Sequence, residues 1–335
     1  MILFIKKKLN LIFYIFIFHT SVFAGDSFTF NSYNNHGVLG LINMPTARLY
    51  EAGSFGFTFY DGTPDQKMTM TSSPYDWMEA SFFYTNIQGR PYPGFEYQDY
   101  KDKGFNVKFK VKEEGVLPAI AIGFNDFAGT GFYSSEYIVG SYGIGNIDTH
   151  FGLGWGTLND SNYSFKNPLI YIDNSFASRP KKTQGRGGQF QPSRYFSNEQ
   201  VSPFYGISYA PSKKILIKAE HDTTKIVDRL NYETPKYKYS LGIEYTLNNK
   251  FTFGLSRERG NFYSLRFVYR SNDTPSSKGI YKYKKVNQDK NTDKYIKLVN
   301  NLENNGIGVN KIVKKSESIG LELTQFTHPS LDIIE

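Results

Sequence analysis

The chain has 335 residues, no cysteine, and 39 Lys and Arg against 31 Asp and Glu, which gives a formal charge of +8. This length suits one large all-β domain or two modest domains, and the lack of cysteine excludes a disulfide scaffold, a thiol nucleophile, a Cys-ligated metal site and a lipidated N-terminal cysteine. Aromatic residues make up 17% of the chain, and together with 30 glycines they indicate strands and turns rather than helices.

Residues 1–24 have the three parts of a secretory signal peptide. Three consecutive lysines form a cationic start, an almost wholly apolar run follows over residues 9–18, and the segment ends with the small residue Ala24. The apolar run is shorter than the roughly 20 residues that a membrane-spanning helix needs. We therefore expect cleavage after Ala24, which removes three lysines and lowers the formal charge from +8 to +5, and export of the chain into a bacterial envelope.

From about residue 54 to residue 270 the polarity of the sequence alternates with a period of two, which is typical of β-strands. Turn residues such as Asn248-Asn249 and Arg259-Gly260 separate the alternating runs. Eleven runs are predicted as strands, with residues 67–71 as a further candidate: 54–60, 77–87, 105–111, 119–127, 136–144, 151–155, 204–210, 215–221, 237–245, 251–257 and 263–269.

Two architectures fit this pattern. A soluble sandwich or barrel points its apolar set into a core, whereas a membrane barrel points the apolar set at lipid and a small or polar set into the lumen. Several runs approach the roughly 9–11 residues that cross a bilayer, their apolar faces are rich in Tyr and Phe, and the opposite faces hold Gly, Ser, Lys and Glu. These features favour an all-β fold with an antiparallel outer-membrane β-barrel of about 10–12 strands.

The interruption at residues 159–200 is too long for an ordinary hairpin. It contains Arg179-Pro180-Lys181-Lys182, then Arg186-Gly187-Gly188, then Arg194-Tyr195-Phe196. One interpretation is a basic, aromatic loop that folds into or over the barrel mouth and contacts a ligand. The other is an ordinary solvated extracellular loop.

Four unusual segments occur in a fixed order along the chain. They are Gly-Val-Leu-Gly-Leu-Ile-Asn-Met-Pro-Thr-Ala-Arg at residues 37–48, Phe-Asn-Asp-Phe-Ala-Gly-Thr-Gly at 124–131, Gly-Leu-Gly-Trp-Gly at 152–156 and Val-Ser-Pro-Phe-Tyr-Gly at 201–206. With these segments the chain resembles the YjbH/GfcD family of exopolysaccharide and capsule biosynthesis proteins over residues 37–270.

The resemblance implies a non-enzymatic outer-membrane β-barrel that assists export or assembly of exopolysaccharide or capsule. It implies outer-membrane lipid, the exported polysaccharide and other secretion proteins as partners. One Arg-Gly-Gly triplet in an exported chain is a weak signal for RNA contact, so we expect no nucleic-acid partner. Members of the family are usually about twice this long, and some carry a lipidated cysteine that this chain lacks. The family offers no established site, so the basic side chains of the long loop are our candidates for contacting glycan: Arg179, Lys181, Lys182, Arg186 and Arg194.

The last fifth of the chain has a different pattern. Residues 271–293 are polar and Lys-rich and read as a linker, whereas residues 294–335 predict a small periplasmic αβ unit with one helix and two strands. The resulting division is a signal peptide (1–24), an N-terminal segment (25–53), a barrel domain (54–270), the linker and this unit. Because the chain ends without the aromatic strand that usually closes an outer-membrane barrel, we expect a shortened member or a barrel completed by a partner.

The sequence offers little for catalysis. The five histidines are scattered, none at metal-ligand spacing to another, and no cofactor motif is present, so we expect no catalytic, cofactor or metal site. Carboxylates for glycoside hydrolysis exist, but the sequence does not bring them together: Asp126, Glu136, Asp148 and Glu220. The alternatives to the secretion barrel are a general outer-membrane porin and a soluble periplasmic β-sandwich that binds a ligand.

Overall fold

The computed structural model describes residues 31–63, 65–181, 190–226, 234–271, 293–304, 307–315 and 318–325. The predicted signal peptide and nearly all of the predicted linker lie outside these residues. The chain divides into two compact units, residues 1–272 and 273–335.

The first unit is a closed antiparallel β-barrel. Twelve of its described strands form a ring in which each strand pairs with the next, and β13 pairs with β1 through contacts such as Phe57 with Tyr269. The two-residue strand β8 pairs with β9 outside the ring. The strands are β1 (Ser54–Gly62), β2 (Asp65–Tyr75), β3 (Met78–Tyr92), β4 (Phe95–Lys112), β5 (Ala119–Asn125), β6 (Ser135–Ile144), β7 (Ile147–Gly154), β8 (Phe165–Lys166), β9 (Gln200–Ser212), β10 (Ile215–His221), β11 (Tyr239–Leu247), β12 (Phe251–Glu258) and β13 (Phe262–Ser271).

This ring confirms the predicted barrel of 10–12 strands, including the candidate strand at residues 67–71. The sandwich alternative is wrong, because one continuous sheet closes on itself. The pairing of β13 with β1 also closes the barrel within the chain, so the expectation that a partner completes the ring is not needed to explain closure.

The strands place apolar side chains outside and polar side chains inside. In β11, Tyr239, Leu241 and Ile243 are 50–62% exposed on the outer face, whereas Ser240 and Glu244 are buried on the inner face. Successive side chains of a strand point to opposite faces, so the period-two pattern sorts the residues in this way around the ring. An apolar outer face is typical of barrels that are surrounded by lipid.

The two ends of the barrel differ. At one end, which we call the turn end, the connections are short: 76–77, 113–118, 145–146, 213–214 and 248–250. Asn248 and Asn249 have φ values of 53° and 57° there, as the predicted Asn-Asn turn requires. The other end, the loop end, carries three short connections, 63–64, 93–94 and 259–261, and all three of the long ones, 126–134, 155–199 and 222–238.

The described part of the longest connection contains short helical turns. Its 3₁₀ helices are Gly156–Leu158, Pro168–Tyr171, Asn174–Ala177 and Pro192–Arg194. Two of them have side-chain caps, because Asn167 accepts the Leu169 N–H and Asp173 accepts the Ser175 N–H.

The second unit has helix α1 (Lys294–Asn304) and an antiparallel pair of strands, β14 (Ile307–Lys314) and β15 (Ile319–Gln325). These elements agree with the one helix and two strands predicted from the sequence. None of the helices in the described part of the chain is both long enough and apolar enough to cross a membrane.

Candidate functional site

The lumen of the barrel is occupied by the chain's own N-terminal segment. Residues 31–50, which we call the plug, precede β1 and fold back on themselves through bridges between Tyr33 and Leu39 and between Gly40 and Pro45. Most plug side chains are buried, and those of Tyr33 and Met44 have no exposed surface. The plug contains the segment 37–48 that carried the family resemblance.

One side of the plug is apolar. Leu41, Met44 and Ala47 pack against inward-facing side chains of β5, β6 and β9, including Val139 and Phe204. Burying a side chain of the size of Leu or Met stabilises a fold by about 1.5–3 kcal/mol. This part of the barrel wall therefore acts as a hydrophobic core with the plug as its other half.

The plug also contacts charged side chains of the wall. The Glu220 carboxylate of β10 accepts hydrogen bonds from three consecutive backbone N–H groups, those of Ile42 at 2.9 Å, Asn43 at 2.8 Å and Met44 at 3.1 Å. Successive N–H groups that converge on one anion form a backbone nest. Glu220 thus accepts hydrogen bonds from N–H groups of the plug that have no partner in regular secondary structure.

Two wall lysines hold plug carbonyl groups. Lys108 Nζ donates to Leu39 O at 3.0 Å, and Lys218 Nζ donates to Gly40 O at 2.9 Å. Each lysine is paired with a wall carboxylate as well, Lys108 with Glu79 at 3.0 Å and Lys218 with Glu244 at 2.7 Å, and all four side chains are buried. A buried charge requires such a partner, so the wall charges and the plug carbonyls satisfy one another.

Two plug asparagines bind carboxylates near the loop end. Asn43 Nδ2 donates to Asp222 at 2.8 Å and to Glu258 at 2.9 Å, and Asn35 Nδ2 donates to Glu258 at 2.9 Å. Asn35 Oδ1 in turn accepts from Arg266 at 2.6 Å. These contacts fix this part of the plug to β12, to β13 and to the connection that follows β10.

Arg48 anchors the plug at the turn end. Its guanidinium donates two hydrogen bonds to Asp148, at 2.7 and 2.8 Å, and forms an ion pair with Glu114. Burial lowers the pKa of Arg48, but the hydrogen bond and charge of Asp148, together with Glu114, more than offset that effect and raise it. The motif arginine is therefore the fixed outer end of the plug.

Close approach of plug and wall requires glycine at particular positions. Gly37 has a φ of 75°, and a Cβ there would overlap the Thr69 side chain of β2. Gly242 of β11 faces Ile42, with 3.1 Å between the position of its missing Cβ and Ile42 Cγ1. The limited space between plug and wall thus explains why a glycine stands at these two positions.

Residues 155–181 and 190–199, which we call the cap, contact the rim of the barrel at the loop end, where the Tyr195 hydroxyl donates to Phe127 O at 2.8 Å. Arg179 of the cap binds Glu136 of β6 with two hydrogen bonds, at 2.7 and 2.9 Å. Arg179 also donates to Ser134 Oγ and to the carbonyl oxygen of Arg194, each at 2.7 Å. Such a bidentate pair is strong and directional, and it ties the long loop to the barrel rim.

The five predicted glycan contacts lie in different environments. Arg179 is committed to Glu136 and the cap, Lys181 is exposed, and Arg194 is half-buried at the end of the 3₁₀ helix Pro192–Arg194. Lys182 and Arg186 lie outside the described residues. The structure thus brings Arg179 and Arg194 together at the cap.

The connection between β5 and β6 is organised by Asp126, which has a φ of 49°. Asp126 Oδ2 accepts the Tyr133 N–H at 3.0 Å, and its own N–H donates to Asn106. Burial and then the nearby Asp102 carboxylate raise the pKa of Asp126 from 3.8 to about 7. The carboxyl is therefore held in a site that disfavours its charged form.

Each carboxylate considered from the sequence for glycan cleavage has a structural role. Glu220 binds the plug, Asp148 binds Arg48, Glu136 binds Arg179 and Asp126 organises a loop. In the ranges that the structure describes, no three His, Cys, Asp or Glu side chains are placed to hold a metal ion.

The fold and its interior define a class of protein: a closed antiparallel β-barrel with an apolar outer face, whose lumen is filled by its own N-terminal segment. The chain belongs to the YjbH family, described as exopolysaccharide biosynthesis protein YbjH, whose model matches residues 32–332. The match begins within the plug and extends into the C-terminal unit.

One curated relative is the uncharacterized lipoprotein YjbH of Escherichia coli strain K12, which is 30% identical over 248 residues. The aligned region covers 72% of this chain and 35% of the relative, so the chain spans about a third of that protein's length.

Two of the solved structures that match are porins, at low similarity. The KdgM porin in complex with disordered oligogalacturonate has a TM-score of 0.35 and 8% identity, covering 65% of this chain and 97% of that one. A mutant of the Rh. blastica porin has a TM-score of 0.24 and 10% identity, covering 62% and 55%.

Proposed function

We propose that this chain is a non-enzymatic outer-membrane β-barrel that assists export or assembly of exopolysaccharide. We also propose that the plug blocks its lumen, so that the barrel is not an open pore. The observation that carries the proposal is the plug, whose apolar and polar contacts occupy the lumen of a barrel with an apolar outer face. Because the chain spans about a third of its curated relative, the activity of the whole protein is part of the proposal.

A place in the outer membrane is supported by three features. The outer face carries exposed apolar side chains around the ring, as a lipid-facing wall requires. All the long connections lie at one end, and the other end has only short ones, which agrees with the asymmetry of outer-membrane barrels, whose short turns face the periplasm. The N-terminal residues 1–24 have the pattern of a signal for export. Membrane lipid is therefore a partner in this proposal.

A general porin is the competing function, and the plug argues against it. A porin conducts because its lumen is a water-filled channel. Here Leu41, Met44 and Ala47 form a buried apolar cluster with the wall, and Glu220 holds three consecutive plug N–H groups. Removing the plug would expose apolar wall and leave several buried polar groups to be hydrated.

A role without catalysis is supported by the carboxylates. An acid–base pair for glycan cleavage needs two carboxyl groups on one accessible cleft. Glu220 and Asp148 instead face the plug, and Glu136 is bound by Arg179. In the proposal these groups hold the plug and the cap in place.

The test uses a strain that lacks the gene for this chain and lacks its major porins. We expect the full chain, supplied on a plasmid, to restore surface polysaccharide and to leave the uptake of a small antibiotic unchanged. Restored polysaccharide with increased uptake would show an open pore, and no restoration with folded protein in the outer membrane would contradict the role in exopolysaccharide. Recovery of the protein in the soluble periplasm would contradict the membrane location.

A further inference from the structure

The hairpin of β3 and β4 projects beyond its neighbours at the loop end of the barrel. β3 pairs with β2 only as far as Ile87, and β4 pairs with β5 only over Val107–Lys112. Past the end of β2, β3 and β4 pair only with each other, as far as Tyr92 with Phe95. The residues after Ile87 extend β3 by up to about 16 Å. We call residues 88–100 the hairpin tip.

Five aromatic rings follow one another from the barrel mouth to the end of the hairpin tip. The centroids of successive rings are 5.2, 5.4, 6.4 and 6.1 Å apart. In order from the mouth they are Phe132, Tyr100, Tyr92, Phe95 and Tyr97, and we call them the aromatic row. Its first two members pack against a buried cluster that includes Phe83 and Tyr133, so the inner end of the row is fixed to the barrel.

The outer end of the aromatic row is exposed. Tyr92 is 41% exposed, Phe95 is 50% exposed and Tyr97 is 88% exposed. Exposed polar side chains lie between and beside these rings, among them Glu96 and Gln98, which favours water over lipid around the hairpin tip. Contiguous apolar surface that is exposed to water marks a binding site more often than chance.

The inner rings of the row are held in place without a ligand. The Arg90 guanidinium lies over Phe132, at 4.4 Å from the ring centroid, and over Tyr100, at 5.2 Å. Such cation–π contacts stabilise the rings that they cover. The planes of Tyr100 and Tyr92 are only 22° apart, so the packing of the inner rings also orients the first exposed ring. A surface that is ordered in advance loses little entropy when it binds.

The charges of the hairpin tip do not select an acidic ligand. Arg90 stands against Glu96 and Asp99, which gives a formal charge of −1 over residues 88–100, and Arg90 is the cation that covers the inner rings. The surface therefore offers ring faces rather than positive charge. Sugar rings suit such faces, because the C–H groups of a pyranose meet the negative face of an aromatic ring while its hydroxyl groups stay in water. The spacing of the rings is close to the length of one sugar unit in an extended chain.

We propose that the aromatic row is a binding site for a neutral polysaccharide chain, whose sugar rings stack on Tyr92, Phe95 and Tyr97. This inference rests on the proposed function, because it identifies where the barrel contacts the exported glycan. It adds the β3–β4 hairpin to the basic side chains of the long loop as a place of contact. With the short turns in the periplasm, the hairpin tip lies on the outer side of the membrane. A barrel whose lumen is blocked by the plug can thus hold the glycan outside the lumen.

The test measures binding to the full chain by titration calorimetry, in a detergent without a sugar headgroup. The probes are cellohexaose, glucose and a hexamer of mannuronic acid. We expect cellohexaose to bind with an affinity that changes less than about twofold between about 0.1 M and 1 M salt, because stacking is not screened. Glucose covers one ring instead of several and should bind about tenfold more weakly or less.

Tyr97→Ser removes the most exposed ring and should weaken cellohexaose binding roughly fivefold. Tyr97→Phe keeps the ring and should bind as the wild type does. Tyr92→Ala combined with Tyr97→Ser should abolish detectable binding. Tyr171→Ser is the matched control, because Tyr171 is also an exposed tyrosine, at 78%, and belongs to the cap rather than to the aromatic row. A heat-modifiable band on an unboiled gel confirms that each variant is folded.

Three results would overturn the site. They are no binding of cellohexaose, unchanged binding in Tyr97→Ser, and an equal loss in Tyr171→Ser. Tighter binding of the mannuronic acid hexamer that disappears at high salt would show contact through charge instead of stacking. Dissociation of an oligomer in Tyr97→Ser, with cellohexaose binding unchanged, would show that the hairpin tip contacts a second copy of the chain. Polysaccharide restored by a wild-type chain that binds no glycan overturns the site alone, and binding without restoration overturns the proposed function alone.

Discussion

The carboxylate of Glu220 accepts the backbone N–H of Asn43 at 2.8 Å, which joins the wall strand β10 to the middle of the plug. Asn43 uses its side chain as well, since Nδ2 donates to Asp222 and Glu258. One plug residue is therefore bound by three wall carboxylates. The acids of β10 and β12 need such donors, because a buried carboxylate without hydrogen bonds is strongly unfavourable.

Replacing Glu220 by Ala should loosen the plug. Three N–H groups, those of Ile42, Asn43 and Met44, lose their hydrogen-bond acceptor. Water can replace the carboxylate as acceptor, but it reaches these groups only if the lumen opens. We expect the folded wild-type barrel to be silent in planar bilayers and Glu220→Ala to show intermittent conductance.

The matched control for this variant is Thr246→Val. Thr246 also faces the lumen, but its hydroxyl pairs with Thr252 of the wall at 2.9 Å. Conductance that rises equally in Thr246→Val, or stays absent in a folded Glu220→Ala barrel, would contradict a plug held by Glu220.

A disulfide between plug and wall should keep the barrel closed. The chain has no native cysteine, and the Ala47 N–H donates to Ser141 Oγ at 2.8 Å, so Ala47→Cys with Ser141→Cys places two thiols at neighbouring positions. Added to Glu220→Ala, the oxidised pair should abolish conductance and a reductant should restore it. In each single-cysteine variant the reductant should leave the conductance unchanged. Conductance of the double-cysteine variant that is the same in the oxidised and reduced states would show that ions bypass the plug.

Gly37 should tolerate no side chain. Gly37→Ala adds backbone strain at a φ of 75° and an overlap with Thr69, whereas Gly94→Ala, at a φ of 83°, has no atom within 4 Å of the added Cβ. The left-handed conformation alone costs about 1–2 kcal/mol. We expect Gly37→Ala to lower the temperature of the gel-shift transition clearly more than Gly94→Ala, and equal shifts would show that contact with Thr69 is unimportant.

The twelve strands are predictable from sequence because each has an apolar face and a polar face, and the alternation of polarity is visible even in short runs. The plug is not predictable in this way. Residues 37–48 have no period of two or 3.6, and their Gly, Asn and Pro read as loop residues. The one local signal is the density of Val38, Leu39, Leu41, Ile42 and Met44 in a segment without regular structure, which indicates burial without saying where.

The roles of the long-loop arginines also depend on distant partners. Arg179 binds Glu136, which is 43 positions away, and no local pattern in the loop distinguishes Arg179 from Arg194. The sequence leaves two interpretations of the loop open: a loop that folds into or over the barrel mouth and contacts a ligand, and an ordinary solvated loop. The sequence does not reveal the ion pair with Glu136 that gives Arg179 its structural role.

Breaking the Arg179–Glu136 pair should destabilise the cap. Glu136 is buried and accepts Arg179 twice, and removing one partner of a buried ion pair typically costs about 3–5 kcal/mol. Arg179→Gln should therefore expose the long loop to limited proteolysis. The double variant Arg179→Gln with Glu136→Gln should recover part of the resistance, because no buried charge is left alone. Equal protease sensitivity of wild type and Arg179→Gln would show that other contacts hold the cap.

Asp126 should make the β5–β6 connection sensitive to pH. Its pKa in the folded chain is about 7, raised from 3.8 by burial and by Asp102. A raised carboxyl pKa contributes stability that is complete below about pH 4 and is lost as the pH rises to about 7, because the folded state binds the proton more tightly than the unfolded state. Asp126→Asn removes this loss, can still accept the Tyr133 N–H, and suits a φ of 49°. In urea titrations followed by tryptophan fluorescence, we expect Asp126→Asn to be more stable relative to wild type at pH 7.5 than at pH 4.5. The same stability difference at both pH values would show that Asp126 does not titrate in this range.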